Sequence, residues 1–185
     1  MSVSSTRFTH RLAQPADMPV IAVLMDLAIE AHLSDWLDPG AVALSHSIMG
    51  LDTQLVEDQT YFLINDVGSS EIVGCGGWSQ RATLFGGDHT SDQRRPTLLE
   101  PGRDAARVRA MYTHPAHKRR GIGRYILTLC ETAARNAGFD RVELMATISG
   151  KPLYEASGYT IIEPLEAARS GDTVVPGWRM GKPLI

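Results

Sequence analysis

Hydrophobic and polar residues alternate with two different periods along this chain, and the two periods predict strands and helices in one fold. Near the start, a short strand is predicted over 7–12, followed by an amphipathic helix that ends near Trp36. A second helix is predicted over 41–56, although Gly50 interrupts it. Two apolar runs in this half then read as strands, over 61–64 and 71–78.

Glycines and prolines mark the middle of the chain. Gly74, Gly76 and Gly77 lie inside the strand predicted over 71–78, and glycine inside a strand indicates a bulge or the close approach of another backbone or a ligand. The following segment, 80–106, shows no period and is rich in glycine and proline. So long a connection in a compact domain is usually functional or mobile, so we predict a lid over a substrate.

The second half has the clearer pattern. From Ala106 to Pro115, alternation predicts a strand with Val108, Ala110 and Tyr112 on one face, and this strand runs directly into a basic glycine loop at 117–124. A strongly amphipathic helix follows the loop and stops at Gly138. The remaining predicted elements are a strand over 141–147, a short helix over 152–156, and strands near 159–162 and 174–180. This order predicts a single α+β domain with a mixed sheet over 1–185.

Composition narrows the functional classes. The chain has 185 residues and a formal net charge of -3, which argues against a nucleic-acid partner or an anionic membrane surface. Cys75 and Cys130 lack CxxC spacing, so we expect buried apolar thiols and no cysteine metal site. The first residues lack the apolar stretch of a secretory leader, and no window resembles a membrane span, so we expect a cytoplasmic protein.

Positive charge is nevertheless concentrated at one place. The stretch 103–124 contains seven Arg or Lys and one acid, Asp104. Gly121 and Gly123 let backbone amides curl into a concave nest at the start of a helix, where unpaired N–H groups attract anions. We therefore predict a phosphate or pyrophosphate site; the alternative is a solvated basic turn whose glycines only permit a sharp change of direction.

Two other nucleotide motifs fit poorly. A dinucleotide fingerprint needs a third glycine where Ile126 stands, although Glu143 lies at about the right distance for a ribose contact. A P-loop needs Gly-Lys-Ser/Thr, which this loop does not contain.

A family resemblance is carried by the segment VRAMYTHPAHKRRGIG, the helix after it, the VELMAT strand and PLYEASGY. Together these resemble the acetyl-CoA-binding half of the GNAT N-acetyltransferase superfamily over about 107–162. The family's loop, Gln/Arg-x-x-Gly-x-Gly/Ala, is matched from Lys118 to Gly123 with Lys at the Gln/Arg position. The resemblance implies a mostly antiparallel sheet flanked by helices, a splayed strand pair that holds acetyl-CoA as cosubstrate, and no metal.

The resemblance also implies the roles of particular residues. Pantetheine would pair with the main chain of Met111, Tyr112 and Thr113, the N–H near Met111 would stabilise the oxyanion, and Tyr154 would be the general acid beside the sulfur. The pyrophosphate would lie on the loop that leads into the helix, formed by Lys118, Arg119, Arg120, Gly121, Ile122, Gly123 and Arg124.

The general base is not marked. Arg107 and Arg109 occupy the strand where many relatives carry a glutamate, so the remaining candidates lie elsewhere: Glu30, His32, Asp88, His89 and Glu100. Aromatic residues that could line an acceptor pocket are Trp36, Trp78 and Phe85. His114 and His117 share an H-x-x-H spacing, but Pro115 lies between them and no helix presents both rings on one face, so both are expected to be loop residues without a metal.

The resulting hypothesis is an acetyl-CoA-dependent N-acyltransferase that acts on a primary amine of a small molecule or a peptide. The alternative is a binding module that senses acyl-CoA without turnover, which would share the loop and lack a working base. Exposed sheet edges in such a fold also make a homodimer possible.

Overall fold

One seven-stranded sheet forms the centre of the protein in a computed structural model that describes residues 7–90 and 94–184. The strand order is β1-β2-β3-β4-β5-β7-β6, and β4–β5 is the one parallel pair among antiparallel neighbours. The strands are β1 Phe8–Leu12, β2 Tyr61–Asp66, β3 Ile72–Ser79, β4 Ala106–Thr113, β5 Arg141–Thr147, β6 Thr160–Ser170 and β7 Thr173–Pro183. The predicted mixed, mostly antiparallel sheet is confirmed.

Helices cover both faces of the sheet. They are α1 Met18–Leu33, α2 Pro39–Ile48, α3 Thr53–Glu57, α4 Ile122–Asn136 and α5 Lys151–Ala156, with 3₁₀ turns at Pro15–Asp17 and Pro115–His117. Leu63 of β2 packs in the core beneath α1, and Ile64, the next residue, packs in the core beneath α4. In the described part of the chain, no helix is long and apolar enough to cross a membrane.

Two predicted elements have different bounds in the structure. The helix expected over 41–56 is divided into α2 and α3, because Gly50 adopts φ +144° and Asp52 begins α3 by accepting a hydrogen bond from the Gln54 N–H. The last two strands are longer than predicted and form a hairpin that turns at Gly171. The edge strand β6 is mostly exposed, so it lacks the apolar alternation that would have shown its length.

The glycines of β3 let α4 lie close to the sheet. A Cβ atom on Gly74 would stand 2.6 Å from Cγ2 of Ile122, and one on Gly76 would stand 2.6 Å from Cγ2 of Ile126. At these two glycines the close approach is made by side chains of a helix rather than by a backbone or a ligand. At Gly77 it is made by a backbone, because a Cβ there would stand 2.5 Å from the Thr60 carbonyl oxygen.

Bulges interrupt both β3 and β4. In β3, Val73 is the extra residue opposite Ile64 and Asn65 of β2, so the bulge predicted there is present next to Gly74. In β4, the bulge lies opposite Cys75 and Gly77 of β3. The register between these strands shifts between Cys75 and Gly77 because Ala110 adopts φ +49°, a left-handed conformation that alanine rarely takes. The predicted alternation along β4 therefore fails at this point, and Arg109 is buried instead of lying on the exposed face.

On its other side, β4 separates from β5 almost at once. The two strands pair only at Ala106↔Val142 and Arg107↔Glu143, and beyond these residues they diverge into an open wedge. The splayed strand pair implied by the resemblance is present.

We expect Gly76→Ala to destabilise the fold by about 1–3 kcal/mol, because its methyl group would collide with Ile126 and with the bulge at Met111. Gly68→Ala is the matched control, since its Cβ would meet nothing closer than 3.4 Å, and its free energy of unfolding should change by less than about 1 kcal/mol. Urea unfolding measures both. Equal stabilities for the two variants would show that α4 can move away from β3 without cost.

Candidate active site

A pocket opens where β4 and β5 separate. Its floor is β4 from Val108 to Tyr112, and Met145, Thr147 and Tyr154 line the side of β5 and α5. The opposite wall comes from two connections, Ile48–Gly50 after α2 and Leu84–Gly86 after β3. Polar backbone of an unpaired strand and apolar side chains thus face the same space.

The backbone of Thr113 points into this wedge. The His114 N–H donates to the carbonyl of Val73 over 2.9 Å, which assigns His114, and by alternation Tyr112, to the ladder with β3. Thr113 must then direct its N–H and C=O away from β3. His32 Nε2, at the end of α1, lies 2.8 Å from this carbonyl oxygen and donates to it. His32, one of the predicted candidates for the general base, is therefore a hydrogen-bond donor to β4 in this structure.

A buried tyrosine fixes the bulge. The Tyr61 hydroxyl donates to the Ala110 carbonyl over 2.7 Å, and its side chain is almost wholly enclosed. Burial raises the pKa of Tyr61 well above its ordinary value, so the hydroxyl keeps its proton and remains a donor. This hydrogen bond offsets part of the cost of a left-handed alanine.

A buried ion pair attaches the connection after β3 to β4. The Arg109 guanidinium, with a side chain 3% exposed, lies 2.8 Å from Asp52 Oδ2 and also donates to the carbonyl oxygens of Thr83 and Gly86. Sequence reasoning treated Arg109 only as a missing carboxylate and overlooked this role; a lone arginine inside a predicted strand was the available signal.

The start of the predicted lid is therefore held in place. Asp88, a candidate base, accepts hydrogen bonds from Thr53 and lies 2.8 Å from Arg94 Nη2. Residues 91–93 lie outside the described part of the chain, and the lid stays a prediction.

Tyr154 reaches the pocket from α5. Its side chain is buried apart from its contact with the wedge, and its hydroxyl lies 3.9 Å from the Met111 sulfur. Burial raises the pKa of Tyr154 above its ordinary value. At neutral pH this hydroxyl is a fixed hydrogen-bond donor.

The N-terminus of α4 has the form of an anion site. Gly121 is its N-cap residue, with φ +88° and no side chain that caps the helix, and Arg119 before it has φ +61°. A Cβ on Gly123 would stand 2.6 Å from Cδ2 of Leu153, so this glycine serves the packing of α4 against α5 rather than the shape of the loop. Ile122 is buried in the core. The first amides of the helix face solvent without a side-chain acceptor.

The four basic side chains of the loop divide into two kinds. Arg120 lies 2.8 Å from Asp66 and also contacts His117, and Lys118 turns toward the Ala31 carbonyl, 3.5 Å away. Arg119 and Arg124 are exposed and make no hydrogen bond or ion pair with any described residue. The site therefore presents two uncommitted guanidinium groups.

The other candidate bases lie away from the pocket or on its rim. Glu30, with a side chain 68% exposed, lies beside His46, and Glu100 pairs with Arg103 on the surface. His89 is exposed and lies over Gly50 at the pocket margin. None of the described residues that line the pocket is an aspartate, glutamate or histidine.

Of the aromatic residues predicted for an acceptor pocket, only Phe85 lines it. Trp36 is 55% exposed on the surface, and Trp78 packs against Phe139 in the core. Cys75 and Cys130 are buried as expected, and burial raises the pKa of the Cys75 thiol to about 12.

Glu143 cannot serve a ribose, because its carboxylate is bound by Arg107 over 2.6 Å and by Arg179 over 2.7 Å. The dinucleotide alternative therefore loses its acid.

The expectation that H-x-x-H would not bring its rings together was wrong. The 3₁₀ turn at Pro115–His117 sets the rings of His114 and His117 5.4 Å apart, beside Glu71. Nδ1 of His114 accepts from a backbone N–H, and Nδ1 of His117 accepts from Arg120. A metal-bound imidazole normally donates from its second nitrogen, so both rings are arranged for hydrogen bonding within the protein rather than for a metal.

Comparisons with known proteins agree with this geometry. The acetyltransferase (GNAT) family model matches residues 21–159. A GCN5-related N-acetyltransferase from Rhodopseudomonas palustris aligns at 17% identity over 99% of each chain, with a TM-score of 0.67. One from Kribbella flavida aligns at 18% identity over 97% of this chain and 99% of its own, with a TM-score of 0.60.

A third structure, the histone acetyltransferase HPA2 and related acetyltransferase from Corynebacterium glutamicum, aligns at 21% identity over 96% of this chain and 97% of its own, with a TM-score of 0.58. These structures share the fold. No curated protein matches the chain in sequence.

We expect Asp52→Asn to destabilise the protein by about 3–5 kcal/mol, because it leaves the buried Arg109 guanidinium without its counter-charge. Glu100→Gln removes an exposed acid that pairs with Arg103 on the surface, and it should cost at most about 1 kcal/mol. Urea unfolding compares the two variants. A loss of similar size in both would mean that Arg109 does not depend on Asp52.

Proposed function

Because the chain belongs to the acetyltransferase (GNAT) family, we propose that it transfers the acetyl group of acetyl-CoA to a primary amine of a small molecule or a peptide. The observation that carries this proposal is the alignment of three features along one edge. These are the unpaired stretch of β4, the uncapped start of α4, and the Tyr154 hydroxyl between β4 and α5.

Acetyl-CoA fits this edge in two respects. The free amides at Gly121–Gly123, with the uncommitted Arg119 and Arg124, suit a pyrophosphate, because oxyanions bind well at an uncapped helix N-terminus. The backbone groups of Thr113 that point into the wedge suit the amides of pantetheine, which would pair like an added strand. In that complex the Thr113 carbonyl would exchange its bond from His32 for one from pantetheine.

The chemistry needs little from side chains. Acetyl-CoA supplies an activated thioester. The amine nitrogen, with its lone pair free, forms a bond to the carbonyl carbon, the carbon–sulfur bond breaks, and the proton lost by nitrogen passes through water and ends on the thiol of CoA. We assign the Met111 N–H to the negative charge that develops on the carbonyl oxygen, where a fixed amide stabilises charge without reorganisation.

Tyr154 acts as a donor to the sulfur. A simple thiol has a pKa of about 8.5, below that of an ordinary tyrosine at about 10, so full proton transfer already runs uphill. Burial raises the pKa of Tyr154 further, which makes transfer harder and leaves a strong hydrogen bond as its contribution. The hydroxyl therefore stabilises the departing thiolate and need not give up its proton.

The sheet leaves β1 and β6 as its edges, and a homodimer through one of them is part of the proposal. If the protein is instead an acyl-CoA sensor, calorimetry will show binding of acetyl-CoA, and no thiol will be released in the presence of any amine.

Substitution of the arginines in the basic loop should distinguish those that bind CoA from the one that stabilises the protein. Arg119→Ala and Arg124→Ala should each weaken CoA binding about tenfold at low salt, and the difference from the parent should shrink as salt rises. Arg120→Ala should instead lower the melting temperature, because Arg120 pairs with Asp66 within the protein, and should leave the salt dependence of the dissociation constant unchanged. Titration calorimetry with CoA at two ionic strengths measures this. Three variants with the same salt dependence as the parent would place the pyrophosphate elsewhere.

Tyr154→Phe should lower kcat by about 10², with a change of less than about twofold in the dissociation constant for acetyl-CoA. Tyr125→Phe is the control, since its hydroxyl bonds His10 outside the wedge and its loss should leave turnover unchanged. Release of free thiol reports the rate, and calorimetry reports the affinity. Turnover by Tyr154→Phe equal to that of the parent would exclude the hydroxyl from the reaction.

A further inference from the structure

The two walls of the pocket belong to different parts of the core. Met111 and Tyr154 pack with the cluster beneath α4, the helix whose N-terminus forms the anion site. The facing wall consists of Ile48, Met49 and Phe85, which pack with α2 and the β6–β7 hairpin, and Met145 of β5 contacts the same cluster from the side of the pocket. If the thioester lies along the first wall, as the proposed function requires, the second wall receives the acceptor.

We infer that the acceptor is a primary amine carried on an aromatic group and bound as the free base. This inference rests on the proposed function and specifies its substrate. Two properties of the pocket around this wall carry it, namely the chemistry of its surface and the charge of its lining.

The surface is apolar and rich in sulfur. Met49, Met111 and Met145 all line the pocket, together with the ring of Phe85, and each is only partly buried. Thioethers adapt their shape to a guest and make favourable contacts with the edges of aromatic rings. An aromatic ring between these side chains would cover apolar surface that is otherwise open to water.

The charge around the pocket works against a cation. The charged residue among the described lining residues is Arg109, and its partner Asp52 is turned toward the guanidinium. An ammonium group that entered would lose its hydration and find no free carboxylate, because Asp52 is already paired with Arg109. The amine must therefore arrive neutral.

This requirement selects among amines by their basicity. At pH 7.4 an amine with the basicity of lysine, with a pKa of about 10.4, is neutral in only about one molecule in a thousand. An aromatic amine of low pKa is almost entirely neutral at the same pH. The pocket therefore favours weakly basic aromatic amines, then arylalkyl amines, over alkyl amines and lysine side chains.

The test uses the whole protein with acetyl-CoA and measures thiol release with four acceptors: an aniline, 2-phenylethylamine, butylamine and a lysine peptide. We expect the aniline and 2-phenylethylamine to have kcat/KM values at least tenfold higher than those of butylamine and the lysine peptide. For 2-phenylethylamine, kcat/KM should rise about tenfold per pH unit up to the pKa of the amine itself, since the free base is the species bound. Preference for butylamine or the lysine peptide would overturn the inference.

A charge variant tests the electrostatic part separately. Met49→Glu places a carboxylate on the second wall, and the ratio of the dissociation constant for the aniline to that for 2-phenylethylamine should rise about tenfold at pH 7.4, because the cation then has a partner. Ser47→Glu adds the same charge nearby, on an exposed residue that does not line the pocket, and should leave the ratio unchanged. An unchanged ratio in Met49→Glu, or an equal change in both variants, would contradict the assignment of this wall to the acceptor.

Failure of the inference and failure of the proposed function give different results. Turnover of aliphatic amines in preference to aromatic ones would overturn the inference and leave an acetyltransferase. Absence of thiol release with all four acceptors, together with binding of acetyl-CoA, would overturn both in favour of the sensor. Absence of CoA binding would overturn the assignment of the α4 N-terminus as well.

Discussion

The loss of pairing between β4 and β5 after two residues is the constraint on which the site depends. Parallel neighbours normally continue to exchange hydrogen bonds along their shared length, and here they stop beyond Arg107 and Glu143. The bulge at Ala110 disrupts the ladder on the opposite side of β4 at the same level. A left-handed alanine costs of order 1–3 kcal/mol, so the surrounding protein must impose it, and the buried hydroxyl of Tyr61 is placed to do so.

The same strand also organises the wall that faces it. Arg109 lies directly before the bulge, and its hydrogen bonds to Thr83 and Gly86 connect the segment after β3 to the strand that forms the pocket floor. A change in the bulge would therefore move the wall and the floor together. The wedge is open, yet its two sides are not independent, and this coupling explains why a site with so few polar side chains can still hold a fixed shape.

The sequence alone predicted the elements whose side chains alternate between core and solvent. The strand predicted over 141–147 has the bounds of β5, the strand predicted from Ala106 until Pro115 corresponds to β4, which ends at Thr113, and the basic loop stands before a helix as expected. The sequence could not predict the bulge in β4, because alanine carries no signal for a left-handed conformation. The hydrogen bond that stabilises the bulge also comes from Tyr61, a residue 49 positions earlier. The sequence also could not distinguish the basic residues of the loop from one another. A run of basic residues looks uniform in sequence, but the structure pairs Arg120 with Asp66 at the end of β2, far away in the chain.

The protonation states of the groups in the pocket follow from its burial. An apolar enclosure raises the pKa of Tyr154 and so keeps its hydroxyl protonated beside the Met111 sulfur. The same enclosure disfavours an ammonium ion, so an amine that enters as the free base is already competent to attack. A carboxylate on the pocket floor would serve a strongly basic substrate, but it would also stabilise the unreactive cation there. In the proposed reaction, arginine at 107 and 109, each paired with an acid within the protein, is compatible with catalysis: it stabilises the frame of the wedge, and the amine loses its proton to water before it binds.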